Sequence, residues 1–374
     1  MADFLKDITD KLDKSIKNNF KKIGGAISDS TKNTNVIDNV NSLFNNRKIR
    51  YFLILLSILF LLFILYLYVG FNRVERSINR PKRIYVSYLS ELESLSSNKK
   101  YMNNGYKVRD FYVASSFKSY LPCANYIDFS SIDAVKFAIY HGARFLDIDI
   151  MNKTFSSCTE PVVCNGIAKG NYHLTSAIPF DKVIETIQIY AFNKYLRNNT
   201  DPLFINLNFN TWYNKDTVNK SAKIINKYLK KRMLSNEYSY QGKFTKQNVL
   251  DLPIQSVIGK VILMTNSNVL GTDMDEIINL NYNGISGINY RSYNDITNTY
   301  DENEIIEFNR LNTTIVYPET LKRITENNNY LHAKSLGCQF LLMNYTNPDP
   351  WMIEYIKDFK FCSFALKPLR LRHN

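Results

Sequence analysis

The chain has 374 residues, 45% of them hydrophobic, and a formal net charge of +13. The positive charge is spread along the sequence, and no compact basic patch interleaved with aromatics occurs, so a nucleic-acid role has no support. The length is more than one small module needs and suits a short tail, an apolar anchor and a single large barrel.

Residues 1–50 form the tail. Leu5, Ile8, Leu12, Ile16, Phe20 and Ile23 recur every three to four positions, which places one apolar stripe on a helix. Such a helix lies on a membrane surface or pairs with a partner helix. Gly24 and Gly25 end it, and a linker rich in Ser, Asn and Thr follows.

From Tyr51 to Val69 the chain carries no charge and a single serine, enough helix to cross about 30 Å of hydrocarbon. A buried helix of a soluble domain would leave a polar stripe, and a signal peptide would have a shorter core and a cleavage site. A single-pass transmembrane helix over residues 51–70 is therefore expected. Arg47, Lys48 and Arg50 precede it, and Arg73, Arg76, Arg80, Lys82 and Arg83 follow. The contrast does not fix which side of the bilayer carries the rest of the chain. This collar suits anionic lipid head groups as well as it suits a plain stop-transfer flank. Residues 71–111 read as a juxtamembrane connector.

Helix and strand patterns then alternate. Ser131–His141 reads as a helix ended by Gly142, Phe145–Ile150 as a strand, Pro161–Cys164 as a short strand and Phe180–Asn193 as a helix. Leu203–Phe209 is a strand, Asp216–Met233 a Lys-rich helix and Lys260–Met264 a strand. Ile315–Tyr317, Cys338–Tyr345 and Phe361–Leu366 complete the series. The alternation predicts an α/β fold of the (β/α)8 TIM-barrel type over residues 112–374. A doubly wound sheet is the alternative, weakened by the lack of a Gly-rich dinucleotide turn or a phosphate loop.

Asp147 and Asp149 alternate, so both point to one face of their strand, at the barrel mouth. Such a pair either holds a divalent cation through its oxygens or forms salt bridges with a nearby Lys or Arg. The five cysteines (Cys123, Cys158, Cys164, Cys338, Cys362) lack metal-ligand spacing. Cys158 and Cys164 are close enough for a loop disulfide, but the odd total favours reduced thiols. Sequons begin at Asn152, Asn198, Asn219, Asn312 and Asn344, and the last falls in an apparent buried strand, which argues against glycosylation of the set.

Six motifs in order give the chain a relative. Ser115-Ser-Phe-Lys-Ser-Tyr-Leu121, Gly142-Ala-Arg-Phe-Leu-Asp-Ile-Asp149 and Leu174-Thr-Ser-Ala-Ile-Pro-Phe180 come first. Val316-Tyr-Pro318, Gly337-Cys-Gln339 with Asn344 beyond it, and Cys362-Ser-Phe-Ala-Leu-Lys-Pro368 follow. Together they resemble the catalytic barrel of the phosphoinositide-specific phospholipases C. The X-like half covers residues 112–235 and the Y-like half residues 250–372. No accessory lipid-binding or calcium-binding domain of that family is evident.

The resemblance implies specific chemistry: two histidines that move protons and a calcium ion that lowers a hydroxyl pKa. The first histidine's place holds Phe117 and the second holds Asn165, neither of which shuttles a proton near neutral pH. The family's Asn, Glu, Asp and Glu calcium ligands fall on Lys118, Asp147, Asp149 and Asn208. Lys118 is expected to take the cation's place, pairing with both aspartates, and calcium binding is expected to be weak or absent. The Arg and Lys that hold ring phosphates become Ile315 and Met264, with Asn266 beyond, while Tyr317, which stacks on the inositol ring in the family, is retained. An insertion at Gly166–Asn171 brings His173 near as a substitute histidine, although an ordinary loop histidine is the simpler account.

Two functions follow from the resemblance. One is a membrane-anchored, catalytically inactive barrel that binds lipid, through a phosphoinositide or other anionic head group, or serves as a scaffold. The other is an active phosphoric diester hydrolase with rearranged groups. A purely structural membrane protein is a third.

Overall fold

The computed structural model describes residues 47–122, 129–153, 159–167, 172–211, 214–239, 248–281, 287–319 and 326–373. The tail helix, its linker, Cys123 and Cys158 lie outside these residues. Two compact units divide the chain, residues 1–69 and 70–374.

Helix α1 (Arg47–Tyr85) contains the apolar run. Its residues Tyr51–Val69 are exposed or half-exposed, and the helix is long and apolar enough to cross a membrane. Within the second unit its last turns pack on the barrel: Ser77 and Pro81 are buried, and Ile78 and Ile84 join the core. Tyr85 is fully buried and its hydroxyl donates to the Tyr345 carbonyl at 2.9 Å. The segment read from sequence as a connector is thus part of the folded body. Its Ser94 Oγ and Leu95 N donate to Asp201 Oδ1 at 2.8 and 2.7 Å. Val108 N donates to the Leu252 carbonyl at 2.9 Å.

The strands are β1 (Phe111–Ser116), β2 (Phe145–Asn152), β3 (Pro161–Val163), β4 (Gly166–Ile167), β5 (Tyr172–His173) and β6 (Ile178–Pro179). They continue with β7 (Leu203–Asn210), β8 (Val261–Thr265), β9 (Leu280–Asn281), β10 (Ile288–Ser292), β11 (Thr313–Tyr317), β12 (Phe340–Met343) and β13 (Phe364–Leu366). The main sheet runs β10-β11-β12-β1-β2-β7-β8-β9 with every neighbouring pair parallel. This is a nearly closed barrel, and its α/β class follows from the crossover helices between strands.

Among those helices, Ile132–Tyr140 starts on a Ser131 cap that accepts from Asp133 N, and Gly142 (φ +90°) turns the chain into β2. Phe180–Ala191 and Lys215–Leu229 cover β2, β7 and β8. Two expectations change in detail. Phe364–Leu366 pairs antiparallel with β1, and β3 folds back antiparallel on β2. The second is a hairpin return, whereas the first joins the two ends of the barrel sequence, and hydrophobic alternation alone distinguishes neither from a barrel strand.

Alternation sets the two faces of β2 and β7. Leu146, Ile148, Ile150, Leu203, Ile205 and Leu207 face the helices. Phe145 and Phe204 face inward and meet Phe340, with ring centroids 4.6 and 5.0 Å away, while Phe364 lies 6.5 Å from Phe204. This aromatic plug fills the barrel floor, and the polar residues two and four positions further along each strand stand above it.

Candidate functional site

Those polar residues converge. Lys118 follows β1 in a left-handed conformation (φ 37°) that aims its side chain across the mouth. Its Nζ lies 2.7 Å from Asp149 Oδ2 and 2.8 Å from Asn165 Oδ1. Its backbone N–H donates to Asp147 Oδ2 at 3.2 Å. The ammonium therefore engages one aspartate and an amide rather than both aspartates, and Asp147 receives the backbone instead. The turn at 118 presents N–H to the nearer carboxylate, and the long side chain reaches past it to the next.

Amides complete the cluster. Asn206 Nδ2 donates to Asp147 Oδ1 (2.9 Å) and to Asn208 Oδ1 (3.0 Å). Asn208 Nδ2 donates to Asp147 Oδ1 (2.8 Å) and Asp149 Oδ1 (2.9 Å), and the Tyr120 hydroxyl donates to Asp149 Oδ2 (2.7 Å). Burial, then the charge of Asp149, raises the Asp147 carboxyl pKa above its ordinary range, against the pull of Asn206, Lys118 and Asn208. Burial pushes Asp149 the same way, but the Lys118 ammonium, with Tyr120 and Asn208, reverses it and leaves that carboxyl lowered. The pair thus shares its environment unequally, with the ionised form favoured on Asp149.

Across the mouth stand Tyr290 and Tyr317, stacked with centroids 4.4 Å apart and ring planes 20° apart. Burial, and then the charges of Asp147 and Asp149, raise the Tyr290 phenol pKa well above normal. Ile315 and Met264 complete an apolar wall. Among the described residues, one half of the mouth is polar and charged, and the other is aromatic and aliphatic.

The structure therefore brings Lys118, Asp147, Asp149, Asn165 and Asn208 into one cluster. Phe117 is buried beside it, its N–H donating to the Met343 carbonyl at 2.9 Å. His173 is engaged elsewhere: it sits on the β4–β5 hairpin, and its Nε2 donates to the Asn152 carbonyl at 2.6 Å. Asn152 is itself held by Thr217, whose hydroxyl donates to its Oδ1 at 2.7 Å. Sequence reading missed Asn206, Tyr120 and Tyr290. Asn206 was legible two residues before Asn208 on the same strand face, and Tyr120 two residues after Lys118. Tyr290 gave no such signal.

The sequons and thiols are also placed. Asn152, Asn198 and Asn344 are buried, and Asn198 Nδ2 donates to Ser363 Oγ at 2.7 Å, so none of the three is open to a glycan as folded. Cys164, Cys338 and Cys362 are free and buried, and burial pushes the Cys164 thiol up to about 12.

The profile of the family described as phosphatidylinositol-specific phospholipase C, X domain, matches residues 106–266. Among solved structures, PLC21 of L. pealei is 14% identical with a TM-score of 0.59, covering 72% of this chain and 38% of its own. PLC21 of S. officinalis, also 14% identical, gives a TM-score of 0.58 over the same shares. At that identity the likeness is one of fold, and this chain spans 38% of the length of both. No curated protein sequence matches the chain.

Proposed function

We propose, from the premise that this chain belongs through residues 106–266 to the phosphatidylinositol-specific phospholipase C X-domain family, that it is a membrane-anchored member which no longer cleaves. In this reading it binds a lipid head group or serves as a scaffold. The observation that carries the reading is the Lys118 ammonium, 2.7 Å from Asp149 and 2.8 Å from Asn165. It sits where the resemblance puts a calcium ligand and against the residue that replaces a proton-transferring histidine.

The donor set does not fit a divalent cation. Calcium takes about six to eight oxygen ligands, and a fixed ammonium inside the cluster repels it and spends the nearest oxygens. Phe117 has no exchangeable proton on its side chain, and Asn165 is a carboxamide, so neither supplies the acid or base that phosphodiester cleavage requires. The anchoring half of the reading rests on the exposed apolar run of α1, which is uncharged from Tyr51 to Val69.

Phosphatidylinositol in vesicles tests the proposal directly. With the full chain added, released inositol phosphate should match the protein-free control, with calcium or with chelator. Calcium-dependent turnover that survives repurification would defeat it.

A further inference from the structure

At the end of the barrel away from the mouth, the segments that precede β1 and β8 frame a cavity of about 470 Å³. Small-molecule sites run from about 300 to 1,000 Å³, mostly apolar with a few polar groups. Tyr101, Met102, Tyr106, Pro253 and Ile254 supply the apolar wall here. Phe111, the first residue of β1, meets the Tyr101 and Tyr106 rings edge-on, with centroids 5.3 and 6.2 Å away. The six residues of β1 separate this wall from the Lys118 turn, roughly 20 Å of strand. The cavity is thus distinct from the mouth.

Both walls are tied together. Ile254 N donates to the Tyr106 carbonyl at 2.8 Å, and Lys107 and Pro253 form an antiparallel β-bridge. The Tyr101 and Tyr106 rings lie 6.4 Å apart at 76°, so a flat ring stacked on one meets the edge of the other, an arrangement that aromatic groups favour. Polar groups stand at the rim. The amides of Asn103 and Gln255 are exposed, and each offers both donors and an acceptor. Lys99 and Lys100 are exposed one turn before Met102 and Asn103 on the helix Lys99–Asn103. The Arg372 guanidinium lies 5.2 Å from the Tyr106 centroid. Asp251, two residues before Pro253, is held by Lys107 and Arg109, which leaves Lys99, Lys100 and Arg372 without a carboxylate partner among the described residues.

We infer that this cavity binds a planar heteroaromatic anion of the nucleoside-monophosphate kind. Its base lies against Tyr101 and Tyr106, the polar edge of the base meets Asn103 and Gln255, and its phosphate pairs with Lys99 and Lys100. An aromatic hydrocarbon would leave the amides and ammonium groups unused, and a bare anion would leave the aromatic wall unused. Exposed lysines alone hold an anion weakly, so the ring and the charge are both required. The site shares no residue with the mouth, and it stands whether the mouth binds or cleaves.

The test is isothermal titration of the full chain in phosphatidylcholine nanodiscs with AMP, GMP, CMP and UMP, against the matching nucleosides and inorganic phosphate. At least one mononucleotide should bind one-to-one, with its nucleoside and inorganic phosphate each roughly tenfold weaker or worse. Lys99→Glu combined with Lys100→Glu should weaken that nucleotide about tenfold, and Gln255→Ala should weaken it roughly fivefold. All three positions are exposed, so these variants should keep the natural urea midpoint. The inference falls if none of the four nucleotides binds, or if the nucleoside or inorganic phosphate binds as tightly as the nucleotide. It falls equally if either variant binds as the natural chain does, which would put the nucleotide elsewhere on the protein.

Discussion

Lys118 occupies a backbone conformation that suits a different residue. At φ 37° a side chain with a Cβ is in the left-handed region, where asparagine is several-fold enriched and lysine is not. The resemblance places an asparagine at this position, so the turn has kept its shape while the side chain has changed. Its ammonium offsets the backbone cost through the pairing with Asp149. Reversal is then testable: Lys118→Asn with Asn208→Glu replaces the ammonium with an amide and supplies a third carboxylate. Those carboxylates repel one another until a cation arrives. Calcium should raise the Tm of the double variant by several degrees and leave the natural chain unmoved, as read by differential scanning fluorimetry. A calcium shift of equal size in the natural chain would show that Lys118 does not block the site. Lys118→Met alone leaves Asp149 with only Tyr120 and Asn208 and should cost roughly 3 kcal/mol in denaturant unfolding.

The elements that surprise are those whose pairing is not written in their own residues. The strands β2, β7 and β8 were legible because Leu, Ile and Phe alternate with Asp, Asn and Met, and the same alternation gave the inward face that carries the site. The β10 strand was not, because Ile288-Asn-Tyr-Arg-Ser292 reads as a mixed polar segment, and its strand state comes from full pairing with β11. With it went Tyr290. The choice Lys118 makes between Asp147 and Asn165 was equally hidden, since it depends on how β3 returns along β2 and delivers Asn165 to the mouth.

The hold of the connector on the barrel was hidden for a similar reason: part of it runs through a buried carboxylate far along the chain. Asp201 accepts from Ser94 and Leu95 with Oδ1, while Oδ2 has no hydrogen-bond partner among the described residues. Burial raises its pKa to about 6, although Arg144, Ser94 and Leu95 pull it down. The folded state therefore holds this proton more tightly than the unfolded chain, whose value is near 3.8. Asp201 contributes a penalty that is absent below about pH 4, grows as pH rises, and is complete above about pH 6. Asp201→Asn keeps the acceptor and removes the charge. It should flatten the stability profile between pH 4 and 6 and add about 1–3 kcal/mol at pH 7.5, measured by urea unfolding. A loss of stability at pH 7.5 would mean that the attraction to Arg144 outweighs the burial cost.

At the scale of the molecule, the folded body begins well before its first barrel strand. Sequence reading placed the barrel at residue 112 because β1 opens the family motif there, and the compact unit instead starts at Gly70. The difference is physical. Tyr85, Leu92, Leu95 and Val108 are all buried, and each large apolar side chain so placed contributes about 1.5–3 kcal/mol. Summed over four residues this rivals the whole stability of an ordinary domain, so a barrel cut at 112 lacks a wall rather than a leash. A fragment of residues 70–374 should unfold cooperatively in urea, whereas residues 112–374 should aggregate or give a broad transition. Tyr85→Phe in the longer fragment removes only the hydroxyl bond to Tyr345 and should cost about 1 kcal/mol. The same pair of chains separates anchoring from folding. The full chain should remain with membranes through carbonate extraction, and the 70–374 fragment, lacking the uncharged run before Gly70, should be released. If the fragment were retained as firmly as the full chain, the barrel surface rather than α1 would be the membrane-holding element.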